Sequence, residues 1–229
     1  MKTIIVTGTS SGIGFELCIQ AAKNGHNVIS ISRNLKPLAK VKGIESYSLD
    51  LTDNESISSL VSNLRNKKTK IDILINNAGY LSNELFKDST YESFKKAFDV
   101  NVFGLAEITR SLIPLIDKKG HVVNISSIGG INGSKKFPGL SAYSSSKAAV
   151  IALTEVLAEE YKDGPVFNVL ALGSVQTKML KEAFPDYDSD TKPHEMAKYI
   201  LNFALNNSKL FNGKLVSISN SNPWSSNFS

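Results

Sequence analysis

Short apolar runs alternate with longer segments of helical period along the whole 229-residue chain. Runs at residues 3–7, 27–32, 44–49, 71–76, 121–126, 166–171 and 214–219 predict strands. Most are near-continuously apolar rather than strictly alternating, the pattern of strands covered on both faces in a parallel sheet. Helical period marks residues 14–24, 54–66, 90–116, 142–161 and 193–206. Asp53 stands where an N-cap is needed, and Pro193 suits a first helical turn. Gly25 and Gly120 follow helical runs as stop signals, and Pro114 predicts a kink late in the long third helix. Strand alternating with helix throughout predicts an α/β fold: a doubly wound, mostly parallel, seven-stranded sheet in one domain over 1–229, with 219–229 as a tail.

Composition narrows the class. With 41% apolar and 21% charged residues the chain is an ordinary globular sequence, able to bury roughly 70% of its unfolded surface without disulfides or structural metal. One cysteine, Cys18, excludes an intrachain disulfide and a Cys-rich zinc site, and fits a reducing, cytoplasmic compartment. The 26 basic and 21 acidic side chains leave a net charge of +5. Basic clusters at 65–70, 118–119 and 135–136 carry no interleaved aromatics, so they read as solvated surface rather than a nucleic-acid platform. No segment approaches the ~20 apolar residues of a membrane span, and the first eight residues are too short an apolar run for a secretory signal. His26, His121 and His194 do not group in a metal-ligand spacing. The uncharged tail 220–229 is either a loose end or an element that docks Trp224 and Phe228 on a neighbour.

The sharpest chemical signal is Thr7-Gly8-Thr9-Ser10-Ser11-Gly12-Ile13-Gly14, directly after the first strand and opening the first helix. Glycines there permit a tight turn and close approach of the backbone to a phosphate, and the helix start supplies N–H groups and a positive dipole end to a pyrophosphate. The spacing is G-x-x-x-G-x-G. The second strand ends Ile31-Ser32-Arg33-Asn34 without the acid that would bond an adenosine ribose 2′-hydroxyl. Arg33 is placed for a 2′-phosphate, with Ser32 leaving room and a hydroxyl, so NADP(H) is the expected cofactor.

With these features the sequence resembles the short-chain dehydrogenase/reductase family, a Rossmann-fold family, from Lys2 to about Met179. Gly8, Gly12 and Gly14 match its cofactor loop, and Asp50-Leu51-Thr52 matches the acid after the third strand that brackets the adenine. Asn76-Asn77-Ala78-Gly79 matches the motif that closes the fourth strand and lines the cofactor. Asn101 matches the family's catalytic-helix Asn, and Ser127, in Asn124-Ile125-Ser126-Ser127, its catalytic Ser. Tyr143-Ser144-Ser145-Ser146-Lys147 matches its Tyr-x-x-x-Lys motif.

The residue chemistry agrees. Tyr143 and Lys147 are i and i+4 and share a helix face. A nearby ammonium favours phenolate, so Lys147 is expected to lower the Tyr143 pKa toward the working range of a general acid–base. Ser127 ends a strand at the sheet's carboxyl edge, where its hydroxyl can hold a substrate oxygen. The resemblance implies that Tyr143 exchanges a proton with the carbonyl oxygen while hydride moves. It also implies that Lys147 bonds the nicotinamide ribose and that Asn101 anchors a water. After the sixth strand come Leu172-Gly173-Ser174-Val175-Gln176-Thr177, where the family usually has Pro-Gly. Leu172 removes a locked φ and predicts a looser loop. Gly173, Val175 and Thr177 are expected at the nicotinamide carboxamide.

Substrate identity should come from loops 80–89, 129–142 and 179–191. Lys135 and Lys136 read as loop solvation before anionic-substrate contact, and Phe184, Pro185 and Tyr187 as an apolar lid. The expected activity is an NADPH-dependent reductase or alcohol dehydrogenase interconverting a small to medium carbonyl and a secondary alcohol. The alternatives are a catalytically silent NADP(H)-binding sensor or scaffold, or an NADP-using dehydratase or epimerase. A homodimer or homotetramer pairing helices 90–116 and 142–161 is expected by resemblance.

Overall fold

In the computed structural model, residues 1–220 are described; the tail reading on Trp224 and Phe228 lies outside them. One parallel seven-stranded sheet has the order β3-β2-β1-β4-β5-β6-β7. Its strands are β1 Thr3–Thr7, β2 Asn27–Ser32, β3 Ile44–Ser48, β4 Ile71–Asn76, β5 Ile116–Ser127, β6 Val166–Leu172 and β7 Lys214–Ile218. The helices are α1 Gly12–Lys23, α2 Asn54–Asn66, α3 Tyr91–Phe98, α4 Leu105–Leu112, α5 Ser141–Glu160, α6 Lys178–Ala183 and α7 Pro193–Asn206.

Adjacent residues of β1 explain why the runs are continuously apolar. Ile4 and Val6 pack with Leu17 and Ala21 of α1 and Ile200 of α7. Ile5, pointing to the opposite face, packs with Ile57 and Leu64 of α2 and Ile108 of α4. A strand covered twice has no solvent side on which to place a polar residue. Each fully buried aliphatic side chain contributes on the order of 2 kcal/mol.

Local signals held where their chemistry is local. Asp53 caps α2 by accepting from the Glu55 and Ser56 N–H groups, and Gly25 turns the chain after α1 at φ +78°. Pro193 occupies the first turn of α7. Four expectations need correction. The 90–116 helix is α3, a π-helical segment Asp99–Gly104, α4 and a short 3₁₀ turn Ile113–Leu115. Pro114 sits in that closing turn rather than at a kink, and the mid-helix irregularity holds no proline. Gly120 does not stop a helix. It lies within β5, where the pairing with β4 shifts register between Ile71 and Ile73, and a Cβ there would meet Ile116 Cγ2 at 2.6 Å. Finally, Leu172 does not loosen its loop. It extends β6, buried and paired with Ile218 of β7, and Gly173 N–H then donates to Ile218 O at 2.8 Å.

Candidate active site

Because every strand runs the same way, the ends of β1, β4, β5 and β6 meet along one edge of the sheet, the edge at which open α/β folds bind ligands. The glycine loop leaves β1 there. Gly8 has φ +73°, and a side chain on it would place Cβ 2.6 Å from Ala78 Cα. A Cβ on Gly14 would lie 2.2 Å from Gly8 O, so only glycine allows this cradle. The segment after β4 braces it. Asn77 and Ala78 N–H groups donate to Thr7 Oγ1 at 3.1 and 3.0 Å, and Asn77 Nδ2 donates to Thr7 O and Gly8 O at 3.0 and 3.2 Å.

The loop is suited to an anion. Ser10, Ser11 and Ile13 lie in it, Ser11 makes no side-chain cap bond, and the first turn of α1 carries no acid. The N–H groups at this helix start therefore keep donor capacity. Thr9 Oγ1 is buried without a partner among the described residues. The far end of the cleft is basic. Arg33 holds its guanidinium outward, 81% exposed, with Nη1 3.8 Å from Asp50 Oδ2. Asp50 is held below the usual carboxylate range, first by the Thr52 N–H and further by Arg33. Ser32 is buried and donates to Asn34 O at 2.9 Å, and Leu51 is buried beside the position of Gly104. These residues fit a dinucleotide: a backbone cradle at one end and, at the other, an exposed guanidinium loosely paired with Asp50.

Ser127 ends β5, Tyr143 and Lys147 stand on successive turns of α5, and Asn101 lies in the π-helical segment. The Ser127 hydroxyl neighbours the Tyr143 phenol and favours its ionised form, and Ser127 Oγ accepts from Gly129 N–H at 3.2 Å. Lys147, 3% exposed, donates to Ile125 O at 2.9 Å. Gly79 joins the group: a Cβ there would lie 3.4 Å from Asn101 Oδ1 and 3.5 Å from Lys147 Nζ. Asn101 is clamped by the Tyr80 backbone, accepting from its N–H at 2.7 Å and donating to its carbonyl at 2.9 Å. A π-helical turn inside a helix is a recurrent mark of functional sites.

One expectation fails. Lys147 does not pull the Tyr143 pKa down. Burial pushes the phenol up to about 12, opposed by the neighbouring Ser127 hydroxyl. The ammonium is engaged with Ile125 O, its Nζ 5.9 Å from the Tyr143 ring centroid, and burial brings Lys147 itself down to about 8. Thr177 opens α6. Its hydroxyl caps α6, accepting from Leu180 N–H at 3.2 Å, while its methyl faces Gly12 at 3.3 Å from a Cβ built there. Gly173 and the buried Val175 lie on the same β6 exit.

Two contributors escaped the sequence reading. Thr7 braces the 77–79 segment, and its only signal is its place beside Gly8. Ser146, fully buried, accepts from Asn101 Nδ2 at 2.9 Å and donates to Tyr143 O at 2.7 Å. No sequence signal sets it apart from Ser144 and Ser145. Lys135 stacks on Phe137 and Lys136 donates to Ile131 O and Ser134 Oγ, so both are spent on their own loop.

Residues 2–188 match the short chain dehydrogenase family model, and the chain belongs to that family of oxidoreductases. It is 32% identical over 239 positions to 3-oxoacyl-(acyl-carrier-protein) reductase FabG of Thermotoga maritima, covering 95% of this chain and 96% of that one. A short chain dehydrogenase structure from Shigella flexneri complexed with NADP is 26% identical, with a TM-score of 0.87 over 94% of this chain and 96% of that one. A 4-hydroxyisoleucine dehydrogenase structure complexed with NADH is also 26% identical, with a TM-score of 0.86 over 96% and 97% of the two chains. These two neighbours carry different dinucleotides, so the choice between them rests on residues of this chain. No helix among the described residues is long and apolar enough to cross a membrane.

Proposed function

We propose that the protein is an NADP(H)-dependent oxidoreductase that interconverts a carbonyl and a secondary alcohol, with Tyr143 as general acid–base. The observation that carries this reading is the grouping of Ser127, at the end of β5, with Tyr143 and Lys147 of α5 and with Asn101 at the sheet edge. Gly8, Ser10, Ser11, Gly12, Ile13 and Gly14 hold the pyrophosphate end, Asn77, Ala78 and Gly79 line the middle, and Asp50 and Leu51 flank the adenine. Gly173, Val175 and Thr177 lie at the nicotinamide end. Arg33, exposed and only loosely paired with Asp50, meets the 2′-phosphate beside Ser32, which favours NADP(H) over NAD(H).

The bound dinucleotide supplies or accepts hydride at the substrate carbon. Ser127 donates a hydrogen bond to the substrate oxygen and stabilises the charge that grows there. Tyr143 delivers its hydroxyl proton to that oxygen in reduction and removes it in oxidation. With a pKa near 12 the phenol is protonated at neutral pH, the form required of an acid. Lys147, brought down to about 8 by burial, stands one helical turn from Tyr143 on the same face of α5 and is the residue placed to hold the nicotinamide ribose. Asn101 fixes the backbone beside Lys147.

The α3–α4 and α5 faces expose Phe103 and Val156 and are the proposed surface for self-association. The function is tested by following NADPH absorbance with a panel of ketones, quinones, sugars and acyl thioesters. Turnover with one class is expected. NADPH binding without turnover of any class would favour a sensor or scaffold.

A further inference from the structure

The three loops that rise from β4, β5 and β6 meet at one exposed side chain, Asn83. Its Nδ2 donates to Ala183 O, the last residue of α6, at 2.9 Å across a sequence separation of 100 residues. Its Oδ1 lies 1.8 Å from where a Cβ on Gly139 would stand. Gly139 has φ +86°, and its carbonyl accepts from Glu84 N–H at 2.8 Å. β4 and β6 are separated by β5, about 10 Å apart at ordinary strand spacing. A direct bond between their loops therefore closes a ring above the end of β5, where Ser127 stands.

α6 depends on such bonds because it buries no residue, and an element without packing is held by its hydrogen bonds. Its base is fixed. Gln176 accepts from Ser189 N–H at 2.7 Å and donates to Asp188 at 2.9 Å, and Ser189 Oγ donates to Ser174 O at 2.8 Å. Asn83 grips the opposite end.

We propose that Asn83 is a specificity-determining latch: it fastens α6 across the substrate end of the cleft and restricts the protein to compact substrates. The latch rests on the oxidoreductase reading only for the word substrate; the fastening itself does not. Asn83→Ala removes the donor, and Asn83→Asp keeps the size but turns a carboxylate oxygen toward the Ala183 carbonyl. Both are compared with the wild type and with Asn66→Ala, a control at the exposed end of α2, outside the cleft.

Two readouts are taken on the full chain. Limited trypsin cleavage at Lys178 and Lys181, without cofactor, is expected to quicken about fivefold in both Asn83 variants, the population change that one net hydrogen bond supports. The control should not change, and global melting should be the same in all four proteins. The ratio of kcat/KM for a bulky over a small ketone is expected to rise by a similar factor, about fivefold. Unchanged cleavage overturns the latch. Faster cleavage with an unchanged ratio overturns its role in specificity. A wild type that turns over no carbonyl or alcohol defeats the oxidoreductase reading and the specificity role while the cleavage result still judges the fastening.

Discussion

Asn124 and Ser127 lie three residues apart on β5, and each enters a polar cluster that reaches into α5. Asn124 accepts from Asn76 Nδ2 at 2.8 Å and donates to Thr154 Oγ1 at 2.9 Å, while Asn76 also donates to Thr109 Oγ1 at 2.8 Å. All four side chains are buried and neutral, and the cluster ties β4, β5, α4 and α5 together. Ser127, Tyr143 and Lys147 form the second cluster, with two ionisable groups moved away from their ordinary values by burial. Neutral amides and hydroxyls pair with one another in a low dielectric and hold the fold, although Asn76 Oδ1 is buried without a partner among the described residues. A phenol and an ammonium in the same setting oppose folding and become tunable acids. Two turns of one helix thus separate a cluster that ties the fold together from the cluster proposed to react.

The largest effect that would break this contrast is on the stabilising side. Asn124→Ala removes both bonds and leaves Asn76 and Thr154 short of partners, so unfolding free energy should fall by about 2–4 kcal/mol. Denaturant titration measures the loss, and turnover per folded molecule should be largely kept. An unchanged midpoint would deny the amide cluster its structural role.

Lys147→Met probes the opposite sign. The folded pKa of Lys147 lies near 8, below the ordinary 10.5, so the unfolded chain binds its proton more tightly. Burying the ammonium therefore opposes folding fully below pH 8, and the penalty fades as pH rises toward 10.5. The variant should be about 1–3 kcal/mol more stable than wild type near pH 7, after losing the bond to Ile125 O. That advantage should shrink toward pH 10, and activity should be lost. Melting curves across pH decide it; a destabilised variant at pH 7 would mean that Lys147 is a structural group.

A smaller effect is expected at the far end of the cleft. Arg33→Ala should weaken NADPH binding about tenfold and leave NADH binding within about twofold. Equal losses for both dinucleotides in a fluorescence titration would place the guanidinium away from the 2′-phosphate.

Much of this architecture was readable before any coordinates. The strands were legible because burial on both faces leaves continuous apolar runs, and the glycine loop because its conformation admits no other residue at Gly8 or Gly14. Illegible features share a physical cause: their reason lies in distant parts of the chain or leaves no periodicity. α6 buries nothing, so it carries no apolar stripe and read as loop. The π-helical turn that holds Asn101 has the same residue types as the helix around it. The i, i+4 spacing put Tyr143 and Lys147 on one face, but it could not show Ile125 O capturing the ammonium. Likewise nothing near Asn83 announces Ala183.

The central claim is that the Ser127–Tyr143–Lys147 cluster does proton chemistry on a dinucleotide-linked reaction, and Tyr143→Phe tests it most directly. The substitution removes one hydroxyl and leaves the ring in place. NADPH affinity by titration should stay within about threefold of wild type, while turnover of the best carbonyl substrate falls by about 10²–10⁴-fold, the usual worth of a general acid. Turnover at the wild-type rate with NADPH still bound would contradict the account.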